Sequence, residues 1–306
     1  MSNIQKYNIL DFGAKPGELC TKSIQAALDA SDCDGGGTVV IPSGTYVSGT
    51  INLGKSSLKL EKGAVLKGSS DMSDYPLFGY EHNEMGKATS LVYSVNSENI
   101  RIYGEGIIDL NGDAFFRERD WYVPSSKIEL AQDQIEECTL NVYSRINHPI
   151  FFYRCRNVKL EGIKIINSPC WTVTFCECQD VKVMYITIDN SLNVPNDDGI
   201  HLTCSKGVII HGCIISCGDD CIAATCITDW NMPCEDIVVS DCILKSCSKA
   251  IVCGYMHSIV RKITITNCVV KESNRAFCSM TSSVTSIVEN IRVSNMILDT
   301  KIRCGN

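Results

Sequence analysis

The chain has 306 residues, 44% hydrophobic and 21% charged, with a formal net charge of −7 at pH 7. That length supports one large core or two ordinary domains. An acidic balance without a Lys/Arg-rich stripe argues against nucleic acid and anionic membranes as partners, and no run of about 18 apolar residues is present to span a bilayer.

The first residues, Met1-Ser2-Asn3-Ile4-Gln5-Lys6, lack an apolar leader core, so a cytoplasmic location is expected unless a leader has been removed. Thr21 to Ala30 reads as a short amphipathic helix with Ile24, Ala27 and Leu28 on one face. Leu58-Lys59-Leu60 and Ile100-Arg101-Ile102 alternate as half-buried strands do. Residues 111–148 break this pattern with Phe115, Phe116, Arg117, Arg119, Trp121 and Tyr122, then Glu136-Glu137. They read as an insertion, either an end-packing loop or an aromatic wall beside a groove.

From residue 158 the chain repeats. Val158-Lys159-Leu160-Glu161-Gly162-Ile163 is followed by copies starting at Val181, Val208, Ile237, Ile263 and Ile291, at spacings of 23, 27, 29, 26 and 28 residues. Each copy has apolar residues two apart, a turn-forming residue in most, then another apolar residue. Long helical periods are missing, and a propeller blade needs roughly 40 residues. Short strands at this period predict an all-β parallel β-helix, one domain over 1–306, with 1–50 as N-terminal cap and first coil. The last repeat ends without an evident cap, so a partner or further chain is expected to cover that end.

Nineteen cysteines have three readings: an oxidised framework, reduced core thiols, or zinc ligands. Cys213, Cys217 and Cys221 are four apart and Cys176 and Cys178 form a close pair, but no two CxxC knuckles occur together. A chain this long needs no staples, which favours reduced thiols. The sixth repeat position, Ile163, Ile186, Cys213, Cys242, Cys268 and Met296, predicts an inward apolar stack.

A second column leads the strands after each turn: Trp171, Asp198, Asp220, Lys249 and Arg275. Asp219 stands beside Asp220, and the two acidic motifs are Asn196-Asp197-Asp198-Gly199-Ile200-His201 and Gly218-Asp219-Asp220-Cys221. Stacked coils would crowd Asp198, Asp219 and Asp220 together, a costly arrangement unless they bind a cation or move protons. Strict alternation would turn this column inward with Ile200 and Ile222, so the reading requires the acids to sit on the turn. One Asp-Asp-Gly alone is a turn signal, and three carboxylates also suit calcium. Trp171 reads as a sugar-stacking ring or a core-edge residue, and His201 as a groove wall or a substrate contact. His257 is assigned to a turn.

These two motifs resemble those of the family 28 glycoside hydrolases, the polygalacturonase family, which has Asn-Thr-Asp-Gly and Gly/Gln-Asp-Asp-Cys at these places. The likeness runs from Tyr7-Asn8-Ile9-Leu10-Asp11-Phe12-Gly13-Ala14 to the last repeat. It implies a right-handed, pectin-lyase-like β-helix and an inverting hydrolase of α-linked, pectic oligosaccharide or polysaccharide that needs no cofactor. Asp219 would be the general acid, Asp198 and Asp220 would activate water, and Asn196, His201, Trp171, Lys249 and Arg275 would line the substrate. Where the family has Gly-His-Gly, this chain has Ser248-Lys249-Ala250, and the family's Arg-Ile-Lys aligns with Cys278-Ser279-Met280. Those departures weaken recognition of galacturonate and leave two further readings open. One is a catalytically silent carbohydrate-binding β-helix. The other is a calcium-dependent polysaccharide lyase with Lys249 or Arg275 as base.

Overall fold

The structure, a computed structural model, describes residues 5–82, 86–118, 140–142, 144–227, 229 and 231–301. Its strands fall into three long parallel sheets of ten, nine and eight strands, visited in turn as the chain winds. The result is a right-handed parallel β-helix, the hand that parallel crossovers adopt.

The repeat alignment is the hydrogen-bonded register. Val158, Val181, Val208, Ile237, Ile263 and Ile291 pair one above the next in the first sheet. At the fifth repeat position Gly162, Tyr185, Gly212, Asp241, Asn267 and Asn295 all have φ between 51° and 75°. This left-handed residue makes the tight turn into the second sheet, and the Gly, Asn and Asp at most copies suit it. One early copy differs from expectation. Leu58, not Leu60, pairs with Ile102, which in turn pairs with Leu160. The first coils are therefore displaced by two residues, which keeps the same side chains inward.

Inside, like stacks on like. Ile163, Ile186, Cys213, Cys242 and Cys268 are buried and Met296 packs against them. Cys242 shares hydrogen bonds with both Cys213 and Cys268, and the seventeen described cysteines are free thiols. Cys217 and Cys221 meet each other instead, at 3.7 Å between sulfurs.

The predicted helix spans Thr21–Cys33 and buries Ile24, Ala27 and Leu28 over the first coil. At the other end the strands Ile287–Ser294 and Ile297–Thr300 leave Val293, Ile297 and Leu298 exposed. Within the insertion, Gly112–Phe115 is a 3-10 turn and Phe116–Glu118 pairs antiparallel with Leu140–Val142. Arg119, Trp121, Tyr122, Glu136 and Glu137 lie outside the described residues.

Candidate active site

The turns from the second sheet into the third carry the acids. Asp198 precedes strand Ile200–Thr203, and Asp219 and Asp220 precede strand Ile222–Thr225. The condition that they lie outside strand alternation is met. The column is in register: the Thr172 amide donates to the Asp198 carbonyl, the Gly199 amide to Asp220, and the Cys221 amide to Lys249. Lys249 pairs with Arg275 on the next coil.

Two glycines let these turns close. A Cβ on Gly218 would stand 2.2 Å from the Val194 carbonyl oxygen, and one on Gly199 would stand 2.6 Å from that of Cys221. Side chains would force the coils apart where the acids must meet.

Asp198, Asp219, Asp220, Lys249, His201, Trp171 and Asn196 line one cleft of about 490 Å³, together with Ala223, Thr225, Ile227, Val252, Gly254, Tyr255 and Met280. Arg275 is exposed and does not line it. Side-chain exposure differs among the acids, 5% for Asp198, 25% for Asp219 and 13% for Asp220.

Each buried acid has its own partner. Asp198 Oδ2 is 2.8 Å from His201 Nδ1, and His201 Nε2 is 3.0 Å from Thr225 Oγ1. Trp171 stacks on the His201 ring, 3.7 Å between centroids at 19°. Trp171 is 3% exposed, so the structure makes it the support of His201 and not an open stacking platform. Lys249 Nζ donates to Asp220 Oδ1 at 2.9 Å and to Ser248 Oγ at 2.9 Å, and lies 4.0 Å from Asp219 Oδ1.

Burial, then the Asp219 and Asp198 charges, pushes the Asp220 carboxyl well above its usual range, with Lys249 opposing. The elevation expected from crowded acids therefore falls on Asp220. Burial alone would lower the Lys249 ammonium; Asp220, Asp219 and Asp198 together outweigh that and raise it.

Three further groups had little signal in the sequence. Asp197 is fully buried behind the cleft. Its Oδ1 accepts from Asn190 Nδ2 at 2.8 Å and Thr172 Oγ1 at 3.3 Å, and its Oδ2 from the Gly218 amide at 3.5 Å. It thus ties three successive turns, and burial pushes its carboxyl well up. Arg145 donates to the carbonyls of Pro169 (3.0 Å) and Pro195 (2.6 Å) and to Asn196 Oδ1 (2.9 Å). That bond holds Asn196, itself left-handed at φ 54°, at the cleft rim. Thr225 is the third, as the anchor of His201. Among the described residues no three His, Cys, Asp or Glu side chains are arranged as a metal-ligand set, and His257 sits in an exposed Ser283/Thr285 cluster.

Comparison with known proteins is consistent with this architecture. A family profile described as "Glycosyl hydrolases family 28" matches residues 35–303. A "Probable polygalacturonase" of Vitis vinifera is 26% identical over 251 residues, 76% of this chain and 48% of its own length. An "Exo-poly-alpha-D-galacturonosidase" of Dickeya chrysanthemi is 29% identical over 249 residues, 70% of this chain and 41% of its own. The chain thus spans less than half the length of these two relatives. The crystal structure of a hyperthermoactive exopolygalacturonase from Thermotoga maritima superposes with a TM-score of 0.73 at 25% identity, covering 95% of this chain and 76% of that one.

Proposed function

The chain belongs to glycosyl hydrolase family 28, and from that premise we propose that it hydrolyses the α-glycosidic bond of an oligosaccharide with inversion at the anomeric carbon. The observation that carries this is the meeting of Asp198, Asp219 and Asp220, from two adjacent coils, in one cleft.

In this reading Asp219, the most open of the three, protonates the leaving oxygen. Asp198 and Asp220 hold and deprotonate the attacking water on the other side of the bond, as an inverting hydrolase requires of two separated carboxyl functions. His201 fixes the Asp198 carboxylate, and the Lys249 ammonium favours the charged form of Asp220 against the cost of its burial. Asp197 and Arg145 act at one remove, holding the turns that carry the acids. The relatives' names point to pectic polymers as the substrate source. The abundance of free thiols favours a reducing, cytoplasmic setting.

The test is a release assay on pectic and neutral oligosaccharides, with and without EDTA, with the product anomer read by proton NMR. New reducing ends of inverted configuration, unaffected by EDTA, are expected. Asp219→Asn should lower turnover by about 10²–10⁴-fold with the unfolding transition unchanged. EDTA-sensitive unsaturated product would instead establish the lyase, and binding without product the silent carbohydrate-binding protein.

A further inference from the structure

The cleft's charge is unbalanced. Among the described residues lining it, three aspartates face a single ammonium, Lys249. Two of its three donors reach Asp220 and Ser248, and Asp219 lies 4.0 Å away. The neighbouring guanidinium, Arg145, spends its contacts on two backbone carbonyls and Asn196. His201 has one ring nitrogen on Asp198 and the other on Thr225.

The rest of the wall is uncharged, with Asn196, Thr225 and Tyr255 as neutral polar groups and an apolar part beside them. Ala223 and Val252 pair across adjacent strands of the third sheet, and Ile227 and Met280 close the cleft beside them. Among the described residues lining the cleft, a substrate carboxylate would meet acidic side chains and no cation beyond the acid-paired Lys249, and a carboxylate set beside acidic groups in a partly desolvated site is unfavourable. A methyl or hydroxymethyl substituent would meet carbon.

We infer that the sugar unit bound against the three aspartates is uncharged at C6, either a methyl-esterified uronate or a neutral hexose. The inference rests on the hydrolase reading, which it narrows. Ala223, Val252 and Met280 are the specificity-determining residues in this reading, since they supply the apolar part of the wall beside the acids.

Three trimers test it at pH 7 and low salt: α-1,4-trigalacturonic acid, the same trimer methyl-esterified at each C6, and α-1,4-galactotriose. Hydrolysis is measured as kcat/KM in the wild-type chain and binding by calorimetry in Asp219→Asn. That variant slows turnover while keeping the shape of the side chain, so binding is read without hydrolysis. One or both uncharged trimers should exceed the free acid by about tenfold or more. A preference for the ester alone identifies esterified pectin as the source, and activity on galactotriose a neutral glycan. Met280→Lys should narrow the gap by raising affinity for the free acid. Cleavage of trigalacturonic acid as fast as, or faster than, both uncharged trimers would overturn the inference and leave the hydrolase standing. Binding and cleavage of none of the three would overturn both.

Discussion

The thiols of Cys213, Cys242 and Cys268 and the charged groups of Asp198, Asp220 and Lys249 climb neighbouring coils of one solenoid, the first inside it and the second at the turn into the third sheet. Both columns come from the same stacking. Inside, repetition places like on like, and neighbouring thiols shift one another in opposite directions: Cys242 is pushed up to about 12, first through its bond to Cys213, and that bond lowers Cys213. At the turn, repetition with changed residue types places acid on acid and cation on acid, so the ionisation of Asp220 and Lys249 depends on burial first and then on charges from neighbouring coils. The comparison teaches that a β-helix makes a reactive site by altering the residues of one column while leaving the register untouched.

Removing the cation should break the charged column most severely. Lys249→Met leaves Asp220 buried without its partner, and loss of one member of such a pair costs about 3 kcal/mol. The loss should shrink at low pH, where Asp220 takes up a proton. The rising limb of the pH–rate profile should also move to higher pH, because the charge that opposed the elevation of Asp220 is gone. A limb that stays in place would remove Lys249 from control of Asp220. Gly218→Ala is expected next, at about 2–3 kcal/mol, since the new Cβ would collide with the fixed Val194 carbonyl. Turnover should fall further than stability accounts for, because Asp219 and Asp220 move with the turn. The control is Gly79→Ala, where nothing lies within 4 Å but φ is 81°; it should cost about 1 kcal/mol and leave turnover alone.

The thiol column should respond more mildly. Cys242→Ala removes a buried sulfur from a continuous stack, at about 1–2 kcal/mol, read from denaturant midpoints. Turnover should stay at the wild-type value. A fall in turnover would show that the two columns are coupled through the coil and not merely parallel.

The register was legible because each column repeats its chemistry six times, so the alignment of Val158 through Ile291 could be read from apolar spacing alone. The acids were legible for the opposite reason, as changes within a repeating frame. What escaped lies between columns. Asp197 looks like half of a turn signal, yet it is a buried knot, because its partners Asn190, Thr172 and Gly218 come from three turns whose sequences share no pattern. Arg145 follows the break in period and carries no repeat to align it. Trp171 occupied the expected place, but whether its face was open depended on His201, three residues past the column. The displacement of Leu58 by two residues was hidden because an even shift preserves alternation.

The smallest effect separates buried acids from surface ones by the sign of their pH dependence. Asp197 and Asp220 are raised above their ordinary 3.8. The native state therefore holds protons that the unfolded chain has released, and their contribution is full below about pH 4 and lost as pH climbs through the folded values. Glu272, at the surface, is lowered to about 2 by Lys245 first and then Lys301. Its contribution is present above its ordinary 4.5 and lost as pH falls toward 2. Glu272→Gln should change stability at pH 7 by less than about 1 kcal/mol, since solvent screens an exposed pair, and that difference should vanish near pH 2 and shrink with salt. Asp197→Asn should act in the other window, flattening the fall in melting temperature above pH 4. If Asp197→Asn left that slope intact, the three donors around Asp197 would have to be holding it ionised in the native state, and the knot behind the cleft would be a buried anion, not a neutral acid.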